Sequence, residues 1–310
     1  MTYKIASFNL LDFNLKSTDE FKKNFEKITK IIINEKIDII GIQEVLSEMA
    51  IKLLVKKLNN TKLGGQDWKY ECRFPPNRNV NKQEGYAFIW NDKKLNLLEI
   101  ENKENPRIIN DYKIKNEPGQ TMLVRNPCFI RFVPKNRFFE IRLINTHIRF
   151  GKSNLDSMVA AGENQMRLNE FNLLASTILP KCTDIRTGQN MPAYTFLLGD
   201  YNINLNRPEN GYPCLREDVL TVNDRGHNRT VKTVQDKKTS LKVVYEGEEI
   251  PKEIYANNYD HFSFDVDKSG HVIKGGADRI EAVTIYEDGD LVKYRKEISD
   301  HVPVFINISA

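Results

Sequence analysis

Two kinds of apolar pattern alternate along the chain. Short runs at 5–8, IDIIGI at 37–42, GYAFIW at 85–90, CFIRFV at 128–133, RFFEIRLI at 137–144 and TFLLG at 195–199 have the length and β-branched or aromatic content of buried strands. Between them, apolar residues recur every three to four positions, the spacing of one helical face. The first such stretch carries Phe21, Phe25, Ile28, Ile31 and Ile32 after a Ser-Thr-Asp-Glu capping pattern that starts at Ser17. The second carries Leu46, Met49, Leu53, Leu54 and Leu58. A third helix is predicted over 160–179, with Met166, Phe171, Leu174, Ala175 and Ile178 inward, and is expected to stop at Pro180. Pro75 and Pro76 mark a polar loop. Further strands are predicted near 261–266, 280–286 and 302–308, and 206–257 is predicted as surface loops with room for a hairpin. Strands alternating with helices mean an α/β architecture. With no internal repeat, low-complexity tract or linker, residues 1–310 are expected to form a single domain.

Composition narrows the class. A domain of 310 residues buries roughly 75% of its unfolded surface, enough for a large core. No stretch reads as a signal peptide and no apolar run reaches the length of a membrane span, so the expectation is a cytoplasmic protein without a membrane partner. Cys72, Cys128, Cys182 and Cys214 are far apart, with no C-x-x-C pair, and are expected to be reduced thiols. A net charge of +4 permits a polyanionic partner without requiring one.

The chemistry-bearing residues gather at the ends of the apolar runs. Asn9 follows the first, Glu44 follows IDIIGIQ, His147 follows EIRLINT, Asp200 and Asn202 follow TFLLG, and Asp300 and His301 precede VPVFINI. A packed strand can hold a polar group still where a loop begins to expose it. Asp200 and Asn202 are two apart, so in an extended segment both side chains point the same way. Each residue has a bland alternative: a turn residue for Asn9 and Asp200, an exposed helix start for Glu44, a cap for Ser299-Asp300-His301, a satisfied core imidazole for His147. Together they suit a hydrolase better than a binding module.

The runs ASFNLLDFN, DIIGIQEV, EGYAFIW, INTHI, LLGDYNIN, YDHF and ISDHVPV stand in the order found in the endonuclease/exonuclease/phosphatase superfamily, and the resemblance covers essentially the whole chain. Glu84 before the Tyr-Ala-Phe strand, the Thr-His pair at His147, and Arg125 two residues before Pro127 resemble the deoxyribonuclease I branch. That resemblance implies a four-layer sandwich: two packed mixed β-sheets flanked by helices. It implies a Mg²⁺-dependent phosphodiesterase, with Mn²⁺ as a substitute ion. Glu44 would be the primary metal ligand, Asn9 would position it or share the ion, and Asp300 would be a further ligand. Asp200 would be a base or metal ligand, and the Asn202 amide beside it would orient the attacking water or a phosphate oxygen. Asp260 with His301, and Glu84 with His147, would be two carboxylate–histidine pairs serving as general acid and base.

Arg125 would contact a backbone phosphate, aided by Arg149 and Lys152. Arg73, Arg78 and Lys82 would line the approach, and Thr239 and Ser240 would donate to phosphate. His227, His261 and His271 are expected to be structural or solvated. Two positions depart from the branch: Leu46 stands where it has an arginine, and Lys82 stands where an aromatic ring would be expected. The implied activity is DNA endonuclease, leaving 3′-hydroxyl and 5′-phosphate ends, with DNA as partner and room for an unidentified regulatory protein. The alternatives are a phosphatase or phosphodiesterase on a small phosphate ester, a ribonuclease on the same scaffold, and an inactive binding protein.

Overall fold

Every apolar run is wide enough to bury both faces, and two stacked sheets with helices outside are the arrangement that does so. A computed structural model describes residues 1–16, 23–61, 67–75, 84–99, 104–110, 123–149, 157–187, 191–205, 214–215, 217–224, 226–245 and 248–310. In chain order the strands are β1 (Thr2–Phe13), β2 (Ile39–Val45), β3 (Trp68–Arg73), β4 (Gly85–Asn91), β5 (Leu95–Leu97), β6 (Arg107–Ile108), β7 (Cys128–Pro134) and β8 (Glu140–His147). They continue as β9 (Ala193–Asp200), β10 (Asn204–Leu205), β11 (Cys214–Leu215), β12 (Val219–Asp224), β13 (His227–Val234), β14 (Asp260–Asp265), β15 (Ile273–Arg279) and β16 (Val304–Ser309). The helices are α1 (Phe25–Asn34), α2 (Glu48–Asn60), α3 (Ser157–Leu173), α4 (Leu179–Thr183), α5 (Val266–Ser269), α6 (Ala282–Glu287) and α7 (Leu291–Glu297).

One sheet has the order β15-β16-β1-β2-β4-β3, the other β12-β13-β14-β9-β8-β7-β5 with β6 also on β7. Both are mixed: β1 runs parallel to β2 and β8 parallel to β9 among otherwise antiparallel neighbours. Tyr3, Ile5, Phe88 and Ile306 from the first sheet meet Ile130, Phe132, Leu143, Phe196 and Phe262 from the second in the central layer. The outer face of the first sheet is covered by α1, α2, α6 and α7 through Ile28, Ile32, Leu54, Val283 and Leu291. The outer face of the second is covered by α3, α4 and the π-helical turn between them through Phe171, Leu174, Ile178 and Leu179. The result is the expected four-layer sandwich. Among the described residues no helix is long and apolar enough to cross a membrane, and the four cysteines are free thiols.

Polar residues pin the layers together. Gln43 Nε2 donates to Asn145 Oδ1 across the sheets at 2.6 Å and to Ser7 Oγ at 3.1 Å. Within RFFEIRLI, Arg137 is exposed but Glu140 and Arg142 are buried. Arg142 donates to Glu140 and to the carbonyls of Cys182, Thr183 and Ile185, which end α4, while Arg131 takes the other side of Glu140. Pairing this complete offsets the desolvation cost of burying the charge.

Three expectations need correcting, and a fourth cannot be placed. Residues 17–22 lie outside the described part; the first helix is described from Phe25, where the Asn24 side chain caps Lys27 N at 3.2 Å. In the second helix Met49 is exposed rather than inward. The third helical stretch does not end at Pro180. A π-helical turn at Leu174–Ile178 precedes α4, whose first turn holds the proline, where a missing N–H removes little. The strand expected at 280–286 is the helix α6, and the strand lies earlier, at β15. β15 is an edge strand with no buried residue, exposed at 274–276, with a register shift between Lys274 and Ala277 at its Gly275-Gly276 pair. An edge strand with one bulged, wet face carries too little apolar pattern to be seen. The hairpin allowed for in 206–257 is β12–β13.

Candidate active site

Strand register assembles the site. β8 and β9 pair so that His147 lies opposite Asp200, and β9 and β14 pair so that Asp200 lies opposite Asp260. Laterally paired residues project from the same face, so three strands deliver one row of side chains at their ends. From the other sheet, β1 pairs with β2 so that Asn9 lies opposite Gln43, one residue before Glu44. The backbone then turns sharply: Leu11, Asp12, Glu44 and Asn202 all have φ between 41° and 58°. Such left-handed residues cost roughly 1–3 kcal/mol each and persist where surrounding structure over-determines them. The tight approach of β9 to β8 requires glycine at 199. Its φ is +143°, and a Cβ there would overlap the Thr146 carbonyl oxygen.

Asn9 is the joint between the sheets. Its Nδ2 donates to Glu44 Oε1 and to Asp200 Oδ2, both at 3.0 Å, and its Oδ1 accepts from Leu11 N at 3.0 Å. It therefore ties together one carboxylate from each sheet. Glu44 Oε2 accepts from Asp12 N at 3.0 Å. Asp200 Oδ1 accepts from Asn202 N at 2.8 Å, and Asn202 Nδ2 donates to the Ile148 carbonyl at 2.8 Å.

Two histidines converge on Asp200. His301 Nδ1 is 2.7 Å from Asp260 Oδ2 and its Nε2 is 3.7 Å from Asp200 Oδ2. His147 Nδ1 is 3.2 Å from Glu84 Oε2, and its Nε2 is 3.8 Å from the same Asp200 oxygen and 3.9 Å from Glu44 Oε1. Both imidazoles thus have a carboxylate behind and the site in front. Burial works against the charged form of His301, but the Asp260 and Asp200 carboxylates raise it well above the ordinary 6.5. Burial raises the Asp200 carboxyl to about 6, with His301 opposing and Asp260 adding. Glu84 moves the other way. Burial would raise it, yet His147 and then Arg125 hold it down to about 2.

The donor set suits a hard divalent cation. Glu44, Asp300 and the Asn9 amide offer oxygen ligands, as Mg²⁺ prefers. Asp300 Oδ1 is buried with no hydrogen-bond partner, an acceptor left over for a ligand. The Asp300 carboxylate otherwise lies 4.0 Å from Arg295 Nη2. Glu44 and Asp300 also act on one ammonium: burial lowers Lys23 to about 8, while Asp300, Glu44 and Asp12 raise it. Asp200, Asp260 and His301 form a second cluster, with ligand atoms within 4.8 Å of one another. The short Asp260–His301 contact makes that cluster a hydrogen-bonded pair first.

The expected substrate contacts divide. Arg125 Nη2 donates to Glu84 Oε1 at 2.9 Å, while its Nη1 is buried with no partner. Arg149 is exposed; Lys152, Arg78 and Lys82 lie outside the described residues. Arg73 is committed to Glu71 and to the Cys72 and Pro106 carbonyls. Thr239 Oγ1 accepts from Tyr259 N and Asp260 N, and Ser240 Oγ accepts from Asn257 N, so both brace the Asp260 strand instead of facing phosphate. His261 is held between the Gln235 and Ile203 carbonyls as a structural residue, and His271 packs edge-on against Tyr194. Ser299 was not singled out by itself, yet its Oγ donates to the Asn9 carbonyl at 2.6 Å and accepts from His301 N at 3.1 Å. It fastens the last site segment to the first. The signal was present in the Ser-Asp-His run, though nothing in the pattern distinguished a fastener from a cap.

No family model matches this chain, and no curated protein matches it. Solved structures do. TDP2 of D. rerio, complexed with single strand DNA product, superposes with a TM-score of 0.57 at 12% identity, over 100% of this chain and 99% of that one. An endonuclease/exonuclease/phosphatase from Bacteroides vulgatus gives a TM-score of 0.57 at 14% identity, over 100% and 99%. A family protein from Bacteroides thetaiotaomicron gives 0.54 at 14%, over 99% and 97%. At such identities the shared property is the fold, and this chain has the endonuclease/exonuclease/phosphatase fold of the deoxyribonuclease I type.

Proposed function

We propose that the protein is a divalent-metal-dependent phosphodiesterase acting on nucleic acid, in its simplest form a DNA endonuclease. The observation that carries this reading is the pair of buried histidines, each backed by a carboxylate, whose Nε2 atoms lie 3.7 and 3.8 Å from one oxygen of Asp200. Phosphodiester hydrolysis needs an oriented water, donors for phosphoryl charge and a proton for the leaving oxygen. Asp200, held by Asn9 and Asn202, orients the water and accepts its proton. His301, kept charged by Asp260, donates to a phosphoryl oxygen, and His147, aligned by Glu84, serves the leaving oxygen. Arg125, partly exposed and with a donor to spare at Nη1, would contact an adjacent phosphate. Glu44 and Asp300 would hold a Mg²⁺ or Mn²⁺ ion, which would neutralise phosphoryl charge when bound. The fold shared with TDP2, seen with a single-stranded DNA product, favours nucleic acid over a small ester.

The test is a substrate panel with purified protein: supercoiled plasmid, single-stranded DNA, RNA, abasic duplex and soluble phosphate esters, each with and without Mg²⁺. Metal-dependent nicking of plasmid supports the proposal. Turnover confined to soluble esters would replace it with a phosphatase.

A further inference from the structure

The helix α3 crosses the outer face of the second sheet and carries two buried ionic side chains three positions apart, Arg167 and Glu170, which share one helical face. Each grips a loop of the site. Arg167 Nη1 donates to the Asn202 carbonyl at 3.2 Å. Glu170, only 1% exposed, accepts from the backbone N–H of Val124 at 3.1 Å. Val124 precedes Arg125, whose guanidinium holds Glu84, which in turn stands behind His147. Leu123 is buried beside it, so this short segment is fixed by one apolar anchor and one carboxylate.

We infer that Glu170 is a positioning residue: through the Val124 N–H it sets the place of the Arg125 guanidinium, and through Arg125 and Glu84 the alignment of His147. Burial favours the uncharged carboxyl, raising Glu170 to about 7, with the Val124 N–H and the charges of Arg125, His147 and Arg149 opposing. Either protonation state keeps an acceptor oxygen for Val124, so the hydrogen bond rather than the charge is the working element. A glutamine can supply it and an alanine cannot. Displacement of a catalytic group by about 1 Å costs up to 10²-fold in rate.

The kinetic arm of the test rests on the phosphodiesterase reading; a spectroscopic arm does not. Glu170→Ala is expected to lower kcat/KM on plasmid DNA by about tenfold, Glu170→Gln to stay within about twofold, and Glu170→Ala on an Arg125→Ala background to add nothing. In parallel, ¹⁵N NMR of the arginine side chains follows Arg125 without substrate. Resolved guanidinium signals are expected in the wild type and Glu170→Gln, and averaged ones in Glu170→Ala. If Glu170→Ala lacks a cooperative melt, Glu170→Asp, one methylene shorter, takes its place with the same expectations. An unchanged Arg125 spectrum in the folded alanine or aspartate variant overturns the inference, as does a loss that multiplies independently of Arg125→Ala. A wild type inactive on every nucleic acid overturns the functional reading instead, and the spectra still decide the role of Glu170.

Discussion

Replacing Glu84 by glutamine preserves the shape of the side chain and removes its charge. The carboxylate stands between Arg125 Nη2 at 2.9 Å and His147 Nδ1 at 3.2 Å, with 16% of the side chain exposed. Burial alone would raise its pKa from the ordinary 4.5, but the His147 contact and then the Arg125 charge bring it down to about 2. A depression of that size corresponds to about 3 kcal/mol of stability, an upper bound because glutamine keeps part of the hydrogen bonding. The sign follows from the direction. A carboxylate with a lowered folded pKa stabilises the fold fully above pH 4.5, and the contribution is lost as pH falls from 4.5 toward 2.

Glu84→Gln is therefore expected to unfold at lower urea than the wild type at pH 7, by up to about 3 kcal/mol. In thermal scans the loss is roughly 2 °C per kcal/mol for a chain of this size. Repeating the pair of unfolding curves at pH 7, 5, 4 and 3 is the discriminating assay, because the gap between the two proteins should narrow steadily below pH 4.5. A gap that stays constant across that range, or a variant as stable as the wild type at pH 7, would refute the charge argument.

Other outcomes follow from the same geometry. Asp260→Asn should lower kcat on the order of 10²-fold or more with little change in KM, read by steady-state cleavage, since His301 loses the carboxylate at 2.7 Å that keeps it charged and oriented; an unaltered kcat would remove the pair from the mechanism. Gly199→Ala should lower stability by at least about 2 kcal/mol in thermal unfolding, because a Cβ at φ +143° meets the Thr146 carbonyl; an unchanged midpoint would mean the β8–β9 approach is looser than described. Excess chelator should abolish nicking and added Mg²⁺ or Mn²⁺ restore it; full activity in chelator would sink the metal reading of Glu44 and Asp300.

Much of the scaffold was legible because its strands are buried on both faces, and continuous apolar runs survive without alignment. What stayed hidden was physically different. β15 is wet on one side and bulged at Gly275-Gly276, so its sequence resembles a turn. The charged Glu140 and Arg142 inside a buried strand make sense only once the Cys182–Ile185 carbonyls are in place to receive the arginine. Thr239 was expected to donate to phosphate; its side chain is instead buried, with Oγ1 accepting from two backbone N–H groups. Glu170 gave no signal at all, since a glutamate on a helix is ordinary until its burial is known.

The site residues were visible for a deeper reason than motif order. A parallel β8–β9 pair and an antiparallel β9–β14 pair end at the same level, so His147, Asp200 and Asp260 are neighbours by register, whatever their separation in the chain. The antiparallel β1–β16 pair does the same for the two ends of the chain, bringing Ser299 Oγ within 2.6 Å of the Asn9 carbonyl. Asn9, His147, Asp200 and Asp260 are themselves ladder residues, while Glu44 and Asn202 stand close by with φ of 58° and 50°. A one-residue slip of β9 would turn Asp200 to the opposite face and leave both histidines without a common neighbour. The clash awaiting any side chain at Gly199 forbids that slip, so the glycine before the aspartate sets the chemistry as surely as the aspartate performs it.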